Sequence, residues 1–131
     1  MLIDWTDEFE QMLNRLDEQV EAGDADAAFT RRMVMLQLRV LQGLDSEPVE
    51  ESAELKPVQQ SRDHLVWRLS HPYVEGKAVR TIVWFADRDH VVVALFANDK
   101  AQMGDVFYSS VGTRADQLID KYLHQREAEE R

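Results

Sequence analysis

At 131 residues the chain has the length of one ordinary domain, enough to bury a core without disulfide or metal staples. It contains no cysteine, which excludes disulfides, cysteine-based metal sites and thiolate catalysis and fits a reducing, cytoplasmic compartment. The formal net charge of −10 is lopsided: Met1 to Leu55 carry 14 acids against four arginines, whereas Lys56 to Arg131 carry 11 acids and 11 bases. An acidic pole repels phosphate backbones, so any nucleic-acid site is expected in the second half. The same acids also read as a solvated, solubilising helical face. The N-terminus has no basic n-region, and no apolar run approaches the roughly 18 residues of a membrane span, so neither a signal peptide nor a spanning helix is expected.

Leu2, Ile3 and Trp5 alternate with Asp4 and predict a short first strand. Thr6 offers an N-cap, with Asp7 and Glu8 in a first turn where the helix dipole favours anions. Phe9, Met12, Leu13, Leu16 and Val20 recur at helical spacing up to Gly23, a plausible stop. A second helix can start at Asp24 or Asp26, with Phe29, Met33, Leu36, Val40 and Leu44 as its apolar stripe. Asp45 to Gln60, with Pro48 and Pro57, reads as an irregular connector.

Strand patterns follow. His64 to Ser70 alternates, with Leu65, Trp67 and Leu69 on one face and Val66 and Arg68 on the other. Pro72 to Lys77 is expected to be a long hairpin loop. Val79 to Phe85 is a second strand, Asp87 to Asp89 a tight polar turn, and Val91 to Phe96 a third strand closed by Asn98, Asp99 and Lys100. A last helix is expected from about Asp105 to about Gln125, with Phe107, Val111, Leu118 and Tyr122 on its buried side and a frayed tail from Glu127. The expected fold is a single α+β domain over residues 1–131. An N-terminal helical hairpin with its connector (1–55) packs on a small antiparallel sheet with a C-terminal helix (56–126), because each half alone would expose an apolar face.

No Gly-rich phosphate loop, nucleophile elbow or paired-histidine helix is present, and the four histidines lack ligand spacing, so neither metal nor cofactor is expected. Aligned side by side, the strands bring out another set. Arg68 lies on the first hairpin strand, Arg80 opens the next, Lys100 closes the third and Tyr108 opens the last helix. Converging between sheet and helix, three cations and a phenol suit an RNA phosphodiester. Cations stabilise the charge gained in the transition state, and an oriented tyrosine assists proton transfer from the 2′-hydroxyl. Lys56, Arg62 and Arg114 are further candidates for RNA contact. The competing reading is that Arg and Lys alternating with apolar residues mark the solvated face of a half-covered sheet.

The element order and several phrases resemble the RelE/ParE/HigB toxin superfamily. Leu55-Lys56 followed by Leu65-Val66-Trp67-Arg68-Leu69 is similar to that family's leucine-lysine connector and first hairpin strand. Val79-Arg80-Thr81-Ile82-Val83-Trp84 resembles its next strand, and Val91 to Phe96 with Asn98-Asp99-Lys100 its third, while Tyr108 and Arg114 keep a tyrosine-to-arginine spacing of the final helix. The resemblance implies a toxin of a toxin–antitoxin pair, with Arg68, Arg80, Lys100 and Tyr108 as catalytic groups. It also implies a cognate antitoxin as partner, and mRNA on the ribosome as target, or gyrase in the ParE branch. The chain departs from the pattern in Ser70, where ribosome-dependent members often carry a base, in a longer hairpin loop, and in its acidity. Those departures point toward a gyrase-type or purely binding module on the same fold.

Overall fold

Thr6 stands between the first strand and the first helix and serves both. Its Oγ1 accepts from the Phe9 amide at 3.1 Å, capping the helix, and donates to the Leu95 carbonyl at 2.6 Å, fixing the helix start to the sheet. In the computed structural model, which describes residues 1–58, 63–70, 78–99 and 105–129 (backbone only at 99 and 105–109), β1 spans Leu2–Trp5 and α1 Asp7–Glu21. Gly23 ends the helix with a φ of +90°, a region closed to most side chains, and Asp24 caps α2 (Ala25–Gln42) by accepting from the Ala27 amide at 3.0 Å. The remaining elements are β2 (Leu55–Pro57), β3 (Val66–Leu69), β4 (Val79–Asp87), β5 (Val91–Asp99) and α3 (Asp105–Glu129).

The five-stranded sheet has the order β1-β5-β4-β3-β2. Strands β3 to β5 form the expected antiparallel meander, β2 extends it in the same sense at one edge, and β1 adds to β5 in parallel at the other, making the sheet mixed. The connector, expected to be irregular, contributes β2, whose Leu55 pairs with Leu69. Asp87 to His90 turn β4 into β5. The Asp87 carboxylate accepts from the Asp89 amide at 3.1 Å and lies 3.0 Å from His90 Nδ1, and these contacts, His90 first, hold it below the usual 3.8. The expected loop from Pro72 to Lys77 lies outside the described residues.

Both faces of the sheet are covered. The hairpin of α1 and α2 packs on one, burying Phe9, Val34, Leu41, Leu69, Val83 and Val92; α3 packs on the other, burying Val66, Ile82, Leu95, Ala115 and Ile119. The expected stripe of α2 needs correction. Phe29, Val40 and Leu44 are only partly buried and Leu36 is 36% exposed, whereas Val34, Gln37, Leu38 and Leu41 are buried. Helix α2 meets α1, β1 and β4, and a helix packed on several neighbours buries a wider face than a single row at four-residue spacing. Gln37, fully buried, donates from Nε2 to the Val79 carbonyl at 2.9 Å and accepts from Thr81 Oγ1 at 2.6 Å.

The chain's two ends are joined. Tyr122 on α3 donates to Asp4 Oδ2 on β1 at 2.6 Å, and Arg126 Nη1 reaches the same oxygen at 3.2 Å. With Gln125 donating to Asp7 at 3.0 Å, these contacts anchor the turn at Tyr122 to Arg126, and the helix spans residues up to Glu129. Tyr122→Phe is expected to cost about 1–2 kcal/mol at neutral pH, read from the urea midpoint. Burial first, and then the bond to Asp4, raise the phenol above its usual 10.0. The folded state therefore holds this proton more tightly than the unfolded chain. That share of stability is complete below pH 10 and is lost as pH rises through the folded value, so wild type and Tyr122→Phe should converge only in strong alkali. Among the described residues no helix is long and apolar enough to cross a membrane.

Candidate functional site

Strand register decides which of the candidate cations share a face. Arg68 pairs with Ile82 across β3 and β4, and Arg80 precedes Ile82 by two, so the two arginines are diagonal neighbours on one side of the sheet. Lys56 stands directly opposite Arg68 across β2 and β3. On the other flank Arg80 pairs with Asn98 of β5. This is the α3 side, since Ile82 and Phe96, a cross-strand pair of the same parity, belong to the core beneath α3. Diagonal partners in antiparallel strands lie roughly 7–8 Å apart, within the span that one phosphodiester and its neighbour present to long side chains.

Helix α3 completes the row. The Arg114 guanidinium stacks 4.1 Å above the centre of the Phe96 ring, a cation–π contact that fixes its plane. With its side-chain oxygen turned toward α3, Asn98 accepts from Arg114 Nη1 at 3.3 Å while its nitrogen donates to the Ala97 carbonyl at 2.9 Å. Lys56, Arg68, Arg80 and Arg114 thus follow one another from the β2 edge to the helix, each half-buried. The Nε atoms of Arg68 and Arg80 are buried, so each guanidinium is rooted in the sheet face. A half-buried cation on a low-dielectric wall attracts an anion more strongly than one surrounded by water.

An acid limits the positive field at Arg114. Glu8 in the first turn of α1 reaches Arg114 at 3.5 Å, with both side chains about two-fifths exposed. The α3 cover also alters the competing reading of the sequence, because Arg68 and Arg80 do not lie on an open solvated sheet face. Among the described residues no group of three or more His, Asp or Glu is arranged to hold a metal ion.

Of the residues singled out from the sequence, Arg68, Arg80, Lys56 and Arg114 come together on this face. Arg62 and Lys100 lie outside the described residues. Tyr108 falls in the first turn of α3, and its side chain lies outside them too. Two participants are missed by sequence reasoning: Asn98, which the pattern marks only as a strand end, and Glu8, which it marks only as a favourable first-turn acid. Asn98 could have been found, since counting equal steps back from the turn at 88–90 sets it opposite Arg80. Glu8 could not, because its partner lies over a hundred residues away in sequence. Comparison with family models, curated proteins and solved structures returned no match.

Proposed function

We propose that the chain is the toxin-like component of a toxin–antitoxin pair and cleaves mRNA on the ribosome without a metal. The observation that carries this reading is the row of Lys56, Arg68, Arg80 and Arg114 on one sheet face. In the proposed reaction the 2′-oxygen attacks the adjacent phosphorus and the bond to the 5′-oxygen breaks. A cyclic 2′,3′-phosphate and a free 5′-hydroxyl result. The strand arginines bind the non-bridging oxygens and stabilise the charge gained on the way. Tyr108, with Lys100, is the proposed group for moving the proton, worth about 10²- to 10⁴-fold in rate. A cytoplasmic location and a cognate antitoxin belong to the same proposal.

A second reading, a non-catalytic module that binds gyrase or another partner, is favoured by two features. Glu8 occupies Arg114, and the acidic first half resists approach of a polyanion. Inducible expression separates the two. Growth arrest with cleaved mRNA, relieved in an Arg80→Gln, Tyr108→Phe double variant, supports the nuclease. Arrest with intact mRNA and damaged DNA transfers the proposal to gyrase, and no arrest leaves the interaction module.

A further inference from the structure

On the opposite side of the sheet, where the connector after α2 crosses β2 and β3, lies an open groove of about 650 Å³. Its lining includes Glu47, Val49, Glu51, Pro57, Leu65 and Trp67. Pro57 and Trp67 face each other in register and point toward the helical hairpin, while their neighbours Lys56 and Arg68 point toward α3. The groove and the cationic row therefore occupy different faces.

Its apolar part is exposed and its frame is fixed. Val49 is 87% and Leu65 55% exposed, a large uncovered apolar area for two residues of one groove lining. Trp67, buried in the same lining, donates from Nε1 to Glu47 Oε2 at 2.9 Å. The Glu47 amide donates to the Arg88 carbonyl at 2.7 Å, and its other carboxylate oxygen lies 3.6 Å from Arg88 Nε. A wall held by such bonds exists before any partner arrives, which lowers the ordering cost of binding.

Charge and edge geometry narrow the occupant. From Asp45 to Leu55 the chain carries Asp45, Glu47, Glu50, Glu51 and Glu54 and no base. Glu47 is matched by Arg88 of the groove lining, while the other acids of that rim attract a cationic segment and, in a chain of net charge −10, repel a second copy. Nor does an added strand fit. Ser52 already takes up the outward groups of Leu55, its amide donating to the Leu55 carbonyl at 2.8 Å and its Oγ accepting from the Leu55 amide at 3.1 Å, and Pro57 has no N–H to offer. Recognition has to run through side chains.

We propose that this groove docks a basic segment of a partner protein. An aliphatic side chain of that segment lies between Val49 and Leu65 over the Trp67 indole, and flanking lysine or arginine residues meet Glu50 and Glu51. The inference does not depend on the nuclease reading, because no residue is shared between the two faces.

The test uses the full chain and labelled peptides read by fluorescence anisotropy: one with a central leucine between arginines, one with serine for the leucine, one with glutamate for the arginines. The arginine–leucine peptide is expected to bind about tenfold more tightly than either other peptide. Leu65→Ser, at an exposed position and checked for an unchanged melting temperature, should remove most of that preference, and Glu51→Lys should weaken binding and flatten its salt dependence. Arg80→Gln should leave peptide binding unchanged whatever it does to RNA, so the two proposals fail separately. Equal affinity for the leucine and serine peptides, no binding of the first, or indifference to Leu65→Ser would overturn the proposal. A dimer in sedimentation that Leu65→Ser abolishes would overturn it too, by assigning the groove to a second copy.

Discussion

Exchanging Arg68 and Arg80 together for glutamine is expected to weaken binding of single-stranded RNA about a hundredfold at low salt, roughly tenfold for each charge removed. The two guanidinium groups are diagonal neighbours on the face beneath α3, so one strand of RNA can meet both. Measuring the affinity across salt concentrations gives the sharper result. Each phosphate left without its cation lowers the slope of log K against log salt by about 0.7, so the double variant should be flatter by about 1.4. Arg31→Gln is the control. Arg31 pairs with Asp17 on the outside of the helical hairpin at 2.6 Å, and its loss should leave both affinity and slope unchanged. Glu8→Gln should act in the opposite direction, raising affinity a few-fold, because Arg114 no longer divides its field between Glu8 and the ligand. If the double variant and Arg31→Gln lower affinity alike, the row has no privileged role, and binding reflects only diffuse charge.

That part of the site was legible in the sequence because strand parity is a local property. Arg68 alternates with Trp67 and Leu69, and equal steps from the turn at Asp87 to His90 set Arg80 opposite Asn98 because the two register shifts between them cancel. The same locality made the helical hairpin legible, since Thr6, Gly23 and Asp24 mark its ends, the two caps through bonds to residues three positions away. What failed to show depends on distant segments. The parallel placement of β1 beside β5 and the pairing of Leu55–Pro57 with β3 each join stretches with no periodic signal linking them. The groove at Trp67 is of this kind as well. Its indole is fixed by Glu47, a residue that reads as one more acid in an irregular connector.

Gln37 is the clearest case of a residue that pattern reading passes over, and it should have one of the larger effects on stability. It lies on the buried face of α2 with no exposed surface, between Val34 and Leu41 of the same core. A polar side chain there would be costly if it were unpaired, but its amide uses both ends, on the Val79 carbonyl and the Thr81 hydroxyl of β4. Gln37→Leu keeps the volume and removes both bonds, leaving a carbonyl and a hydroxyl buried without these partners, at roughly 1–3 kcal/mol each. Against this, the leucine gains some apolar burial. We therefore expect a net loss of about 3 kcal/mol in urea denaturation and a melting temperature lower by about 10 °C. Thr81→Val alone should cost about 1–2 kcal/mol, because it strands the amide oxygen. Combined with Gln37→Leu it should cost almost nothing more, since no lone hydroxyl then remains in the core. A double-mutant cycle with coupling near zero would show that the two side chains do not act as a pair. A Gln37→Leu variant as stable as wild type would mean that α2 is held to the sheet by apolar contact alone. Since the same contact sets Val79 and Thr81 on either side of Arg80, its loss should also loosen the strand that presents Arg80, and RNA affinity should fall with stability in Gln37→Leu although no charge has changed.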